Sequence, residues 1–499
     1  MDDYPYFHIT ENLIAYPAEL GKLFYSYDVW GYYRPLVKLA WVIGYLLWGT
    51  STIGYTTVIA IFFVITIYTL YKTGVLLKGK LCGLIASLFY ASYYPVVQGS
   101  WHKAGVSAYS EICFISLFMY FAIKWIKNGN NRFDRNAIYG IVFIFLAILS
   151  KEASLLLPLT LLPLIREKRI RVFIILTFSM ALVTFFVPRF FFIHYGPLHH
   201  PGFHPDRIFF LLDNFVKNQY LTLIGPYTLI IAFFSYRRRH SLPILGIFLS
   251  ALIIERFFVP PSGLPSRFDL VLTIIALIFS FLFTSDFKRF MIFWSVIMMA
   301  PSFSMGDANI HQTFESCIGL SFLLGMGFSD HILFLKRIIK KQVKSGLKFQ
   351  PLKFMCNRKF LRNLGIILLI PFIIYSAAHI VKINLKDSIS RYVYIRDSAQ
   401  LTKLVREYLQ EILPQNARIH NNTMPAHISY PDLEYDLNLN GRMDIKSDND
   451  IKNGLGYIII SGSVDEPLPI DLNQDRNVKL EKVLTSGKFI SRIYYRYRG

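Results

Sequence analysis

Charged residues are scarce in this sequence. They make up 17% of the 499 residues, whereas a soluble domain usually contains about 25%. Hydrophobic residues account for 54% and aromatic residues for 16% of the chain. These proportions argue against an ordinary soluble enzyme and favour a polytopic membrane protein.

Cysteine is also scarce, and its spacing is uninformative. The four cysteines are scattered along the chain without a CxxC spacing, at Cys82, Cys113, Cys317 and Cys356. The spacing therefore supports neither a disulfide framework nor a zinc site made of cysteines. Residues 1–35 lack a basic start followed by an apolar core, so no cleavable signal peptide is predicted within them.

Acidic residues are fewer than basic ones, with 32 Asp and Glu against 53 Lys and Arg. The basic residues cluster in short loops between apolar runs, as the positive-inside rule expects of cytoplasmic loops. The longest cluster covers residues 336–362. We interpret it as a determinant of membrane topology, with binding to anionic head groups as the alternative. The distribution argues against nucleic acid as a partner.

Long apolar runs, by contrast, are abundant. A helix needs about 20 apolar residues to cross the hydrocarbon, and about twelve runs approach that length. They cover residues 52–72, 81–98, 106–126, 137–150, 153–166, 170–188, 221–236, 241–259, 268–284, 289–303, 316–335 and 363–382. The sequence therefore predicts an all-α polytopic bundle of about twelve transmembrane helices. The short run 36–50, which contains Lys38, is predicted to be a juxtamembrane helix on the surface.

Residues 385–499 have a different character from the apolar runs. Residues 401–413 show helical periodicity, and residues 417–420, 457–461 and 489–495 have strand patterns. We predict a small soluble α/β domain here, after an outer loop at 1–50 and a transmembrane domain at 51–384. Because the alternate loops are basic when 1–50 faces outward, the C-terminal domain is expected to be extracytoplasmic, at the plasma membrane.

An acidic, aromatic stretch precedes the first apolar run. Asp2 and Asp3 stand beside aromatic residues, Asp28 follows later, and the stretch ends in Tyr32-Tyr33-Arg34-Pro35-Leu36. From residue chemistry alone, the aspartate pair is either a solvated tail or part of an acid–base site.

Several stretches in this order resemble the C-type (GT-C) membrane glycosyltransferases, in particular their O-mannosyltransferase-like branch, which depends on polyprenyl-phosphate sugars. DDYPYFHITEN, LGKLFYSYDVWG and YYRPLVKLAW are similar to the first outer loop of that family. Further agreement comes from Leu149–Glu152 followed by LLLPLTLLP, from FW…AP at 293–301, and from residues 311–319.

The resemblance implies transfer of a sugar, with mannose as a candidate, from a polyprenyl-phosphate donor on the outer face. It also implies a protein, a lipid or a glycan as the acceptor, and an inverting displacement. Such transfer needs a base for the acceptor proton and cations for the lipid phosphate. We expect one of Asp2 and Asp3 to be the base, and Asp28 to be a second acid or a loop cap.

The expected donor-binding residues are Arg34, Lys151, Glu152, His102 and Glu315. Their alternatives stay open: Arg34 as a snorkelling cation, and Lys151 with Glu152 as a structural ion pair. His102 stands where relatives often have an acidic or histidine residue. Glu315 lies where many relatives have a Glu-Arg pair, and it either binds the donor or braces its loop.

A histidine-rich loop gives the candidates for a metal site, His199, His200 and His204. Imidazoles at this spacing can bind zinc or another divalent ion, so a divalent metal is a candidate cofactor, although none is certain. Pro and Gly interruptions keep these residues off one helix face. Contact with the sugar or acceptor, and a solvated aromatic loop, are the alternatives.

Two rival interpretations remain. A polytopic transporter or lipid flippase would require ionisable residues buried in the spans. An inactive relative that has lost its first helix is the second rival. A chain that starts outside without a preceding span leads us to expect either a missing N-terminal helix or a cytoplasmic acidic stretch.

Overall fold

The computed structural model describes much of the chain in separate ranges. These are residues 33–49, 52–92, 105–129, 133–164, 168–191, 285–298, 317–327, 400–421, 446–448, 455–464, 477–487 and 489–497, together with single positions such as 315 and 330. The spans predicted at 221–236, 241–259 and 363–382 lie outside these residues.

The described part of the chain is mostly helical. Its α-helices are α1 (Pro35–Trp48), α2 (Thr52–Lys78), α3 (Lys80–Ser92), α4 (Gly105–Asn128), α5 (Arg135–Ser150), α6 (Lys168–Phe191), α7 (Asp286–Ile297), α8 (Cys317–Gly327) and α9 (400–412). Helix α1 coincides with the predicted juxtamembrane helix.

Within the described ranges, three helices are long and apolar enough to cross a membrane by length and composition. They are Ile53–Lys78, Val106–Asn128 and Lys168–Val187, and all three coincide with predicted spans. Their surfaces are apolar on the outside as well as the inside: Ile53 and Ile175 are exposed, whereas Leu70 is buried. Helices that are apolar all round belong in lipid or in a large core. The predicted number of about twelve spans is not confirmed.

The run predicted as a span at 153–166 has a different form. Residues Glu152–Leu164 form a 3₁₀ helix of 13 residues that contains Pro158 and Pro163. Proline removes a backbone donor and clashes with the carbonyl four residues earlier, so an α-helix is disfavoured here. At about 2 Å per residue the 3₁₀ segment extends about 26 Å, which nearly matches the hydrocarbon thickness despite its few residues.

Glycines allow the helices of the bundle to approach closely. A Cβ at Gly319 in α8 would lie 2.5 Å from the carbonyl oxygen of Met291 in α7, and one at Gly325 would lie 2.6 Å from that of Cys82. Helix α8 thus packs tightly on both α7 and α3. A single apolar core runs through α2 to α8 and includes Trp125.

The C-terminal residues form a five-stranded sheet. Its strands are β1 (Arg418–Asn421), β2 (Lys446–Asp448), β3 (Gly456–Ser463), β4 (Val478–Ser486) and β5 (Phe489–Arg496), in the order β2-β1-β3-β5-β4. Strands β2, β1 and β3 are parallel, and β5 pairs antiparallel with β3 and β4.

Side-chain alternation explains how the sheet is covered. Ile459 and Ile493 face helix α9, where they belong to one buried cluster with Val405. Ile458 and Tyr494 point to the opposite face. Helix α9 and strands β1, β3 and β5 coincide with the predicted elements. The prediction that this region combines a helix with a small sheet is therefore confirmed. The division of the chain at residues 50 and 384 stays a prediction.

Candidate functional site

The end of α5 sets up the candidate site. Helix α5 begins at the N-cap Asp134, whose carboxylate accepts from the backbone of Asn136 and Ala137, and it ends where Lys151 becomes extended at φ −162° and ψ 136°. The 3₁₀ helix starts at the next residue, Glu152. Because the backbone changes direction at this junction, the adjacent side chains of Lys151 and Glu152 reach different partners.

Lys151 lies between two buried carboxylates. Its Nζ donates to Oε1 of Glu315 at 2.6 Å and lies 3.2 Å from Oε2 of Glu111. Glu111 and Glu315 are 0% and 1% exposed. The hydroxyl of Ser154 donates to the other oxygen of Glu111 at 2.7 Å. One ammonium group therefore joins α4, the start of the 3₁₀ helix and the residue just before α8.

Glu152 pairs with Arg34, at the start of α1. The Nε of Arg34 donates to Oε2 of Glu152 at 3.0 Å, and both side chains are largely buried. Arg34 is the N-cap residue and Pro35 the first helical residue. Proline disfavours a helical conformation in the residue before it, and Arg34 accordingly has φ −134° and ψ 67°. With this backbone conformation, the side chain of Arg34 reaches Glu152 at the junction of α5 and the 3₁₀ helix.

Glu315 is fixed by its backbone as well as by its side chain. The indole Nε1 of the buried Trp294 in α7 donates to the carbonyl oxygen of Glu315 at 2.9 Å. Gly319 permits the close approach of α7 and α8 on which this contact depends. The position of the carboxylate is therefore determined by helix packing and by Lys151 together.

The site carries three carboxylates and two cations, so its formal charge is −1 when all five groups are ionised. Burial lowers the pKa of Lys151, but the carboxylates of Glu111 and Glu315 raise it more, so its pKa lies above the ordinary value. We call Arg34, Glu111, Lys151, Glu152 and Glu315 the ion network.

A tyrosine borders the ion network. The hydroxyl of Tyr90 in α3 lies near Glu111 and Glu315, is fully buried, and has no hydrogen-bond partner among the described residues. It adds a neutral polar group beside the two carboxylates that hold Lys151.

The structure brings together four of the residues predicted to bind the donor, Arg34, Lys151, Glu152 and Glu315. Asp2, Asp3, Asp28 and His102 lie outside the described residues, as do His199, His200 and His204.

Sequence reasoning did not identify Glu111 or Ser154, and it noted Trp294 only as part of the FW…AP stretch, without a role. A signal for Glu111 was present, because a lone carboxylate within an apolar span marks a functional site by default. The contacts of Ser154 and Trp294 depend on tertiary packing and have no local sequence signal.

A metal site is not found in this part of the molecule. Across the described ranges, no three His, Cys, Asp or Glu side chains gather as a metal site would require. The carboxylates of the ion network form ion pairs with Arg34 and Lys151.

Among the comparisons with known proteins, only the comparison with solved structures finds similar proteins. No protein-family model matches the chain, and no curated protein matches its sequence. Among solved structures, the chain is similar to ArnT from Cupriavidus metallidurans bound to undecaprenyl phosphate. The identity is 14% over 99% of this chain and 93% of ArnT, with a TM-score of 0.39.

A second similar structure is the archaeal oligosaccharyltransferase AglB from Archaeoglobus fulgidus, in complex with an inhibitory peptide and a dolichol-phosphate. The identity is 16% over 91% of this chain and 61% of AglB, with a TM-score of 0.40. At these identities and TM-scores the likeness carries no argument about the fold or the chemistry of this chain.

Proposed function

We propose that this protein is a membrane glycosyltransferase that moves a sugar from a polyprenyl-phosphate donor to a protein, lipid or glycan acceptor on the outer membrane face. The observation that supports the proposal best is the ion network. Four residues predicted as donor-binding from three separate sequence motifs meet in one buried cluster: Arg34, the adjacent pair Lys151 and Glu152, and Glu315. If each of these residues were only a local surface charge, their side chains would not be expected to pair with one another in the protein interior.

The proposed reaction is a single inverting displacement. A carboxylate of Asp2 or Asp3 takes the proton of the acceptor hydroxyl or amine, and the acceptor atom attacks the anomeric carbon of the donor sugar. The bond from the anomeric carbon to the phosphate oxygen breaks as the new bond forms. Polyprenyl phosphate leaves with the bonding electron pair, so no covalent enzyme intermediate is needed.

The ion network has a defined role in this proposal. Arg34 belongs to the YYRPL ending of the acidic stretch, and its guanidinium supplies positive charge for the donor phosphate. Glu152 orients that guanidinium through the 3.0 Å hydrogen bond to Nε. Lys151 is held by Glu111 and Glu315, and this fixes the end of α5, from which Glu152 reaches Arg34.

The test uses membranes that contain the protein and a series of radiolabelled polyprenyl-phosphate sugars, beginning with mannose. Label should move from the donor lipid to an acceptor fraction. Asp2→Asn and Asp3→Asn should each be compared with Lys403→Gln, a control that removes an exposed charge in α9. Loss of transfer in either aspartate variant, with full transfer in the control, supports the proposal. Full activity in both variants contradicts it.

A second candidate function is lipid or solute transport. The observation that favours it is Glu111, a fully buried carboxylate within the candidate span Val106–Asn128, because such residues are typical of transport pathways. Reconstituted liposomes with a fluorescent polyprenyl-phosphate analogue separate the two functions. Movement of the lipid between leaflets without sugar transfer would favour transport.

A further inference from the structure

A second cluster of charges lies at the opposite end of the bundle from the ion network. The Nζ atoms of Lys78 and Lys288 contact the two oxygens of Asp330 at 2.8 and 2.7 Å. The side chain of Lys288 is 4% exposed, whereas that of Lys78 is 38% exposed. One carboxylate is therefore shared by two lysines, one buried and the other accessible.

A third lysine lies close to this pair. Lys127 donates to the carbonyl oxygens of Leu76 and Leu77, at the end of α2, and its Nζ lies 5.3 Å from the centroid of the Phe287 ring. Phe287 directly precedes Lys288. Among the described residues, no carboxylate lies within ion-pair distance of Lys127, which is exposed.

The cluster stands at the level where candidate spans end. Lys78 is the last residue of Ile53–Lys78, and Lys127 is next to the last residue of Val106–Asn128. Glu111 of the ion network lies near the start of the same helix as Lys127, about 24 Å away at 1.5 Å per residue. Lipid phosphate groups lie at the level where apolar helices leave the hydrocarbon.

Three ammonium groups gather around one carboxylate within the described part of the chain. Burial lowers the pKa of Lys288, Asp330 raises it, and Lys78 lowers it; the pKa remains below its ordinary value although Asp330 is in contact. The helix carbonyls that bind Lys127 supply hydrogen bonds and only a fraction of a negative charge.

We propose that Lys78, Lys127 and Lys288 form a binding site for a phosphate group at this end of the bundle, with Asp330 holding two of the lysines in place. A phosphate group would bring negative charge to the two exposed lysines of the cluster, Lys78 and Lys127. A lipid phosphate and a free phosphate share this chemistry, and the position at the ends of two candidate spans favours the lipid. The proposal does not depend on the proposed transferase activity.

The test compares lysines of the cluster with matched lysines on the same helices. Lys78→Gln and Lys127→Gln alter the cluster, whereas Lys72→Gln and Lys124→Gln remove lysines that lie over Tyr68 and Tyr120. Each full-length variant is placed in nanodiscs of phosphatidylcholine with phosphatidylglycerol. Native mass spectrometry after release counts the phosphatidylglycerol molecules that stay bound.

Removing one lysine near a membrane surface costs about 1 kcal/mol of attraction, which corresponds to about fivefold weaker binding. We expect this loss of retained phosphatidylglycerol in Lys78→Gln and Lys127→Gln, and wild-type retention in both matched controls. An equal loss in the controls, or no loss in the cluster variants, overturns a lipid-phosphate site.

A second arm tests free phosphate with nanodiscs of phosphatidylcholine alone. If inorganic phosphate raises the Tm of the wild type and of the controls but not of the cluster variants, the site takes free phosphate. If neither phosphatidylglycerol nor inorganic phosphate distinguishes the cluster variants from the controls, the proposal is wrong. Elution of each variant as a single monodisperse peak checks that all four fold.

Discussion

Lys151 donates a hydrogen bond of 2.6 Å to Glu315, a residue 164 positions further along the chain. This contact joins the end of α5 to the start of α8, and a second contact of the same ammonium group reaches Glu111 in α4. Buried charges are tolerated only when they are paired. The packing of α4, α5 and α8 against one another therefore depends on the ammonium group of Lys151.

Replacing Lys151 by Met should destabilise the protein strongly. The change leaves Glu111 and Glu315 buried without their cation, and breaking a buried pair in this way costs about 3–5 kcal/mol of unfolding free energy. Thermal unfolding in detergent should show a clear fall in Tm. The matched control Lys403→Met removes an exposed lysine with a 3.7 Å partner, which should cost no more than about 1 kcal/mol. Adding Glu315→Gln to Lys151→Met should restore part of the Tm.

The contribution of Lys151 to stability should be constant from neutral to mildly alkaline pH. Because the pKa of Lys151 is raised in the folded protein, its stabilisation is fully present below the ordinary lysine pKa of about 10.4 and is lost as the pH rises through the raised value. The difference in Tm between the wild type and Lys151→Met should not change between about pH 7 and pH 9. A difference that disappears within this interval would contradict the assigned protonation state.

Arg34 offers a way to separate structural pairing from donor binding. Arg34→Gln alone leaves Glu152 buried without its cation, whereas Arg34→Gln with Glu152→Gln removes both charges of the pair. We expect the double variant to fold with a Tm closer to that of the wild type. Loss of a charged hydrogen bond to the donor phosphate, worth about 1.5–3 kcal/mol, should raise its KM for the polyprenyl-phosphate sugar about tenfold or more. A wild-type KM in the double variant would assign the pair a structural role only.

Gly319→Ala should disrupt the packing of α7 and α8. The new Cβ would overlap Oγ of Ser295 and lie 2.5 Å from the carbonyl oxygen of Met291, and a helix must shift to relieve a contact with backbone. Gly140→Ala is the matched control, because its Cβ would meet only side-chain atoms, the nearest at 3.3 Å. Helix propensity favours alanine by about 1 kcal/mol in both, so only Gly319→Ala should lower the Tm. Equal Tm values would contradict the close approach.

Asp134→Ala should weaken the start of α5. The carboxylate accepts from two backbone N–H groups, and loss of such a cap costs about 1 kcal/mol. Burial raises the pKa of Asp134 slightly and hydrogen bonds, chiefly from Asn136, lower it more, so the pKa lies below its ordinary value. The stabilisation is therefore present above about pH 3.9 and is lost as the pH falls below it.

The difference in Tm between the wild type and Asp134→Ala should accordingly shrink in acid. Asp286→Ala is the control, since Asp286 lies in the first turn of α7 and makes a longer contact of 3.6 Å with Arg289. A pH-independent difference for Asp134→Ala would show that its cap does not act through the carboxylate.

Some features of the fold were predictable because their physical cause is local. Apolar runs of sufficient length predict helices wherever they occur, and the three membrane-capable helices coincide with predicted runs. The 3₁₀ helix was predicted as a span, because hydrophobicity does not register the effect of Pro158 and Pro163 on hydrogen bonding. Strand β4 was missed, because this edge strand is mostly exposed and contains Lys479, Glu481 and Lys482 instead of an apolar run.

The membrane character, the helical composition and four members of the ion network were predictable, because hydrophobicity, charge and local motifs are properties of short stretches. Only the tertiary structure decided which charges meet. Lys151 pairs with Glu111 and Glu315 and not with its neighbour Glu152, since the break after α5 directs adjacent side chains to different helices. Pairing of buried charges depends on distances between residues far apart in the chain, and helix packing sets those distances.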